Sequence, residues 1–186
     1  MRNDDSIDGA YVTMLYHDEW RSKSIKFKKA LLECEMLQKV EQIDINKIIL
    51  LLPHSYPFLL IDRIISMRND VNGIHVKAIK NVTSSDSAIP VGSGLHTAFP
   101  AVLIIEAMAQ ATVLLAQQVL GDTHSDSVYY FAAINRARFY HAVYPGDQLQ
   151  LDVSFIRKRG VMVQLAGIAS VASKRVCTAK FMCVRK

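Results

Sequence analysis

Cysteine is scarce in this 186-residue chain, and the three present, Cys34, Cys177 and Cys183, are odd in number. They have no metal-ligand spacing and lie in apolar stretches, so no disulfide framework is implied and reduced thiols in a cytoplasmic-type compartment are favoured. A strong excess of one charge is missing too: Lys and Arg number 22 against 17 Asp and Glu, a net +5. No aromatic-interleaved basic patch or nucleic-acid motif accompanies it, so nucleic acid is set aside as a partner, while an acidic protein fits the balance. The opening stretch M-R-N-D-D-S-I-D carries no apolar h-region, which argues against a secretory signal. Internal repeats and low-complexity blocks are absent. What remains is a chain with 51% hydrophobic and 21% charged residues, the profile of one globular domain with a substantial core.

The feature that organises it is F-P-A-V-L-I-I-E-A-M-A-Q-A-T-V-L-L-A-Q-Q-V-L-G, residues 99–121. Pro100 suits a first helical turn and Gly121 an exit, which predicts a helix of about 19 residues, roughly 28 Å long. It is apolar on nearly every side and is therefore expected to be buried all round. Glu106, Gln110 and Gln117 interrupt it, too often for a membrane span. At 100° per residue Gln110 lies about 40° from Glu106 and Gln117 about 20°, so the three form one polar stripe. A carboxyl there loses solvation when ionised, so its pKa should rise toward the protonated state a general acid needs. The alternative is structural, a Glu hydrogen-bonded to Gln110 that fixes helix register. Both readings stand at this point.

Before this helix, residues 1–18 are polar and expected to be loosely ordered. Glu19 to Val40 reads as an amphipathic helix with a basic first half, packed on its own domain. Asp44 to Leu52 reads as a short helix with Asp44 as its cap, stopped by Pro53. L-P-H-S-Y-P follows, with His54 between two prolines, and it reads as a packed, hydrogen-bonded loop residue. An apolar strand is expected from Phe58 to Met67, then a turn at Asn72-Gly73 and a second strand. Residues 83–98 form a long small-residue loop of the kind that carries function. After the helix come four strands, Val128 to Phe139, Asp147 to Lys158, Val161 to Ala172 and Arg175 to Val184. Hairpin, long helix and antiparallel meander predict an α+β architecture with one buried helix against a curved sheet. Asp62 and Arg63 are expected to pair.

Five segments in order, L-P-H-S-Y-P-F-L-L-I-D-R (52–63), I-K-N-V-T (79–83), V-L-I-I-E-A-M-A-Q-A (102–111), Y-F-A-A-I-N-R-A-R-F (130–139) and P-G-D-Q-L (145–149), carry a family resemblance. They resemble the short β-hydroxyacyl-acyl-carrier-protein dehydratases of type II fatty-acid synthesis, the FabZ type, over about residues 45–185. The resemblance implies a hot-dog fold, residues 45–186, behind a partly helical N-terminal extension, residues 1–44. It implies a homodimer or trimer of dimers acting on a phosphopantetheine-linked acyl chain of acyl carrier protein, with no metal and no organic cofactor. The implied reaction removes water from a (3R)-hydroxyacyl thioester to give the trans-2-enoyl thioester. In the family a His takes the C2 proton and a Glu or Asp of the neighbouring subunit protonates the leaving hydroxyl. A backbone N–H at the start of the central helix polarises the thioester carbonyl.

Carried across, the acid is Glu106, with Gln110 in the same motif, and the N–H donor falls at Ala101 and Val102, where this chain has P-A-V in place of P-G-V. The base is the departure. The family's loop reads G-H-F-P-x-x-P-x-x-P-G, and its His position is occupied here by Gly92, within V-G-S-G-L-H-T-A-F-P. His96 is the nearby replacement, with His54 as another candidate. Four residues displace a side chain by up to about 13 Å, and a base must come within roughly 3 Å of its proton, so His96 requires a rebuilt loop. Three readings therefore compete: a dehydratase with a rearranged base, a catalytically degenerate subunit that binds acyl carrier protein or pairs with an intact homologue, and a hot-dog thioesterase in which Glu106 activates water. Arg136, Arg138, Arg157, Lys158 and Arg159 are candidates for steering the acidic carrier protein, or else a solvated strand edge.

Overall fold

The computed structural model describes residues 42–70, 73–86, 97–120 and 129–185. The helix expected at 19–40, the Asn72 turn residue, Cys34, and the loop centre with Gly92 and His96 lie outside them. Helix α1, Ile45–Leu51, begins where Asp44 accepts a hydrogen bond from Lys47 N–H (3.1 Å) and ends as Leu52 turns extended ahead of Pro53. Its Ile48 and Leu51 face the core.

Strand β1, Arg63–Asp70, pairs antiparallel with β2, Gly73–Asn81. The expected strand from Phe58 is thus shorter at its start. Phe58 and Leu59 donate to Ser55 O in a turn, and the polar groups of this apolar run are engaged elsewhere before the ladder begins. Asp62 likewise accepts from Asn81 N–H in place of the expected partnership with Arg63. After α2, Ala101–Leu120, come β3, Tyr129–Phe139, β4, Gln148–Arg159, β5, Met162–Val171, and β6, Lys174–Arg185. They form one antiparallel sheet in the order β1-β2-β4-β5-β6-β3, so β1 and β3 are its edges.

The sheet's inner face follows the period of two: Val76 and Ala78 of β2, Leu149, Leu151 and Val153 of β4, Val163 and Leu165 of β5, Ala179, Phe181 and Cys183 of β6. Against it lies α2, whose residues from Ala107 to Gln117 are all buried. The helix is long and apolar enough to cross a membrane by composition, yet two thirds of that stretch is covered by the fold (67%), as in the core helix of a soluble domain. Its first turn departs from burial on all sides, since Ala101 and Val102 are exposed. At the far end Lys158 Nζ and Arg185 Nη1 lie 3.3 and 3.5 Å from the Val119 and Leu120 carbonyls, meeting the negative end of the helix dipole.

Two points of packing bear directly on where α2 sits. Gly167 of β5 lies under the helix, and a Cβ there would come within 3.1 Å of both Met108 Sδ and the Phe181 ring. At the start of the loop that leads to α2, buried Lys80 donates to Asp86 (2.8 Å) and to Asn81 O (2.9 Å), while Asp86 also accepts from Thr83 N–H (2.7 Å). Gly167→Val therefore overpacks the helix–sheet contact and should cost about 1–3 kcal/mol in urea unfolding. Asp86→Ala leaves a buried ammonium unpaired and should cost on the order of 3 kcal/mol, most of which Lys80→Met in the same chain restores.

Candidate active site

The polar stripe on α2 serves the irregular segment between α1 and β1. A buried backbone that joins neither helix nor ladder must find side-chain partners. Gln110 supplies them: its Oε1 accepts from Leu60 N–H (2.9 Å) and its Nε2 donates to Phe58 O (2.7 Å). Seven residues on, Gln117 Nε2 donates to Leu51 O (3.1 Å). These bonds hold 51–60 across the helix and bring His54 onto Glu106.

His54 Nε2 lies 3.4 Å from Glu106 Oε1, and Gln110 Nε2 donates to that same oxygen at 3.0 Å. The His54 side chain is 9% exposed and that of Glu106 26%, so the carboxyl is the more open member of the pair. Nδ1 of His54 is enclosed without a hydrogen-bond partner, and the ring lies beside Phe58. His54 is the packed loop residue the sequence suggested, and what the structure adds is that its ring faces the acid. Spacing along the chain carried no hint of this, since the contact is made by a proline-bracketed segment that has no period.

Burial sets the protonation of both groups. It pushes the His54 pKa down to about 4, and it raises the Glu106 pKa, an effect partly offset by the Gln110 hydrogen bond. Burial thus disfavours the ion pair suggested by their separation: the imidazole is held neutral, and the carboxyl takes up its proton more readily than an exposed one would. The expected rise at Glu106 and its bond to Gln110 occur together.

The other expected residues separate. Ala101 and Val102 open α2, and in a helix's first turn the N–H groups have no intrahelical acceptor. Arg136 and Arg138 are exposed on β3, at an irregularity between Asn135 and Arg138 where Arg136 has φ of 53°. Arg175 lies over the Tyr140 ring at 6.0 Å, and the Tyr140 pKa is lowered by its Thr178 hydrogen bond first and by the neighbouring arginines after. Lys158 serves the end of α2, and Arg157 donates to Gln164 (2.7 Å). Cys177 and Cys183 are buried, their thiols pushed up to about 11 and about 12.

A long buried helix wrapped by a single antiparallel sheet, with an acid near its open end, defines the hot-dog class. Solved structures share this fold: the dehydratase heterocomplex ApeI:P from Xenorhabdus doucetiae (TM-score 0.59, 19% identity, 73% of this chain and 88% of that one) and a hot-dog-like protein from Thermanaerovibrio acidaminovorans (TM-score 0.50, 20% identity, 60% and 80%). The chain belongs to the FabA-like domain family, which matches residues 52–180. Within it, 3-hydroxyacyl-[acyl-carrier-protein] dehydratases FabZ are close relatives. That of Tolumonas auensis is 40% identical over 151 residues, 81% of this chain and all of the relative (100%). That of Actinobacillus pleuropneumoniae is 45% identical over 144 residues, 77% of this chain and 92% of the relative. The chain is thus a FabZ-like member of that family.

The depressed His54 pKa makes a prediction about stability. The unfolded chain binds a proton at the usual value of 6.5 and the folded chain only near 4, so stability falls as pH drops through that window. The loss should reach about 3 kcal/mol, less the opposing contribution of Glu106. Thermal melts of His54→Phe between pH 7 and 4 should lack the His54 component and decline less steeply than wild type.

Proposed function

We propose that this chain removes water from a (3R)-hydroxyacyl thioester carried on the phosphopantetheine of acyl carrier protein, with Glu106 as general acid. The observation that carries the reading is the state of Glu106: a largely buried carboxyl, held through one oxygen by Gln110 and biased toward its proton. As the C2 proton leaves, negative charge builds on the thioester oxygen, and the N–H groups at Ala101 and Val102 offer it the positive end of the helix dipole. Glu106 then gives its proton to the C3 hydroxyl, the C–O bond breaks, and water leaves with the electrons of the C2–H bond forming the new double bond. No redox partner or metal is required by this balance.

The edge strand β3 supports an assembly. Tyr130, Ile134 and Phe139 are exposed large hydrophobics along it, an edge that a second β3 would cover. A homodimer or trimer of dimers through this edge is the reading we favour, with exposed Arg136 and Arg138 receiving the acidic carrier protein. Gly92, where relatives of this type are expected to carry His, supports a second reading in which the chain pairs with an intact homologue and lends it Glu106. Enoyl absorbance from a 3-hydroxybutyryl carrier-protein thioester tests both. Purified chain should produce it, and Glu106→Gln should cut kcat by about 10²–10⁴-fold. Activity that appears only with an intact homologue favours the second reading, and an unaffected Glu106→Gln refutes the role of the acid.

A further inference from the structure

We infer that His54 is the base of this reaction and that acid and base come from the same chain, His54 taking the place vacated at Gly92. The inference rests on the dehydratase reading and adds to it the identity and the origin of the second group. Among the described residues His54 is the imidazole beside Glu106, at 3.4 Å. Nδ1 is enclosed without a partner, which leaves Nε2, the nitrogen facing the carboxyl, as the one that exchanges protons.

The separation suits the chemistry. The proton lost from C2 and the hydroxyl lost from C3 sit on adjacent carbons, so an acid and a base acting from one side must themselves lie a few ångströms apart. A substrate laid across the pair presents C2–H to Nε2 and the C3 oxygen to Glu106. The burial of both groups suits it as well. With Glu106 protonated, as a general acid must be before it acts, the pair is neutral; after elimination it is an imidazolium beside a carboxylate, again with no net charge, and the low-polarity site favours such a pair over either ion alone. Direct transfer of the captured proton from Nε2 to Glu106 then restores the starting state, with one water and one enoyl thioester released and no proton owed to solvent.

The placement of His54 is built into the fold. Gln110 grips Phe58 O, Leu60 N–H and the Glu106 carboxyl at once, so the segment bearing the base and the helix bearing the acid share one fastening.

Full-length chain carrying His54→Asn, and a second variant His54→Gln in case the first fails to fold, should lose at least 100-fold in kcat with KM changed less than about threefold. His96→Asn should stay within threefold of wild type. Oligomers mixed from His54→Asn and Glu106→Gln chains should remain inactive, because every intrachain pair then lacks one member. If the pair instead spans two subunits, the mixture regains a substantial fraction of wild-type activity, and the same-chain assignment is overturned. An active wild type whose His54 variants keep their rate, or whose His96→Asn loses it, overturns His54 as base while leaving the dehydratase reading intact. A wild type without any dehydration removes that reading first.

Discussion

One side-chain amide holds the site together. Gln110 is buried in the middle of an apolar helix, a position that tolerates a polar group only when its hydrogen-bonding capacity is met. It is met by the backbone of a segment that has no secondary structure of its own and by the carboxyl one turn earlier. Each partner would be stranded without the others: Leu60 N–H and Phe58 O have no ladder to join, and Glu106 would sit in an apolar wall. A single residue thereby couples the satisfaction of buried backbone to the placement of an ionisable pair, and fold stability and site geometry become one requirement.

The central helix is asymmetric in how its ends are treated. Its carbonyl end is met by Lys158 and Arg185, cations set against the negative pole. Its amide end is preceded by Pro100, whose side chain has no acceptor, and its first turn holds no acidic residue. Ala101 and Val102 at that end are exposed among the described residues, a few residues before the acid. An acyl thioester, whose carbonyl oxygen gains charge as the reaction proceeds, matches the positive pole in sign.

The same low-polarity surroundings act on His54 and Glu106 in opposite senses, pushing the pKa of the imidazole down and that of the carboxyl up. Such a pair can take up one proton and give up another with no change in its net charge. The bulk of the domain is a scaffold for that condition, with Gly167 letting the helix close on the sheet and the Lys80–Asp86 pair tying the end of β2 to the residues that follow it.

Much of this was legible in the residues themselves. The helix over 101–120, the antiparallel meander, the cap at Asp44 and the stripe of Glu106, Gln110 and Gln117 all follow from periods of 3.6 and 2 and from cap chemistry, which are local properties of a chain. The direction of the Glu106 shift followed as well, because one carboxyl in an apolar stretch has few ways to stay hydrated. The strand start at Arg63 instead of Phe58 and the position of His54 were decided by the tertiary structure. Both depend on backbone groups of an aperiodic, proline-bracketed segment being captured by a glutamine from a distant helix, and no repeat or spacing records such a contact. The chain alone determines which surfaces are apolar and where the acid lies among them; only folding decides which imidazole comes to face it.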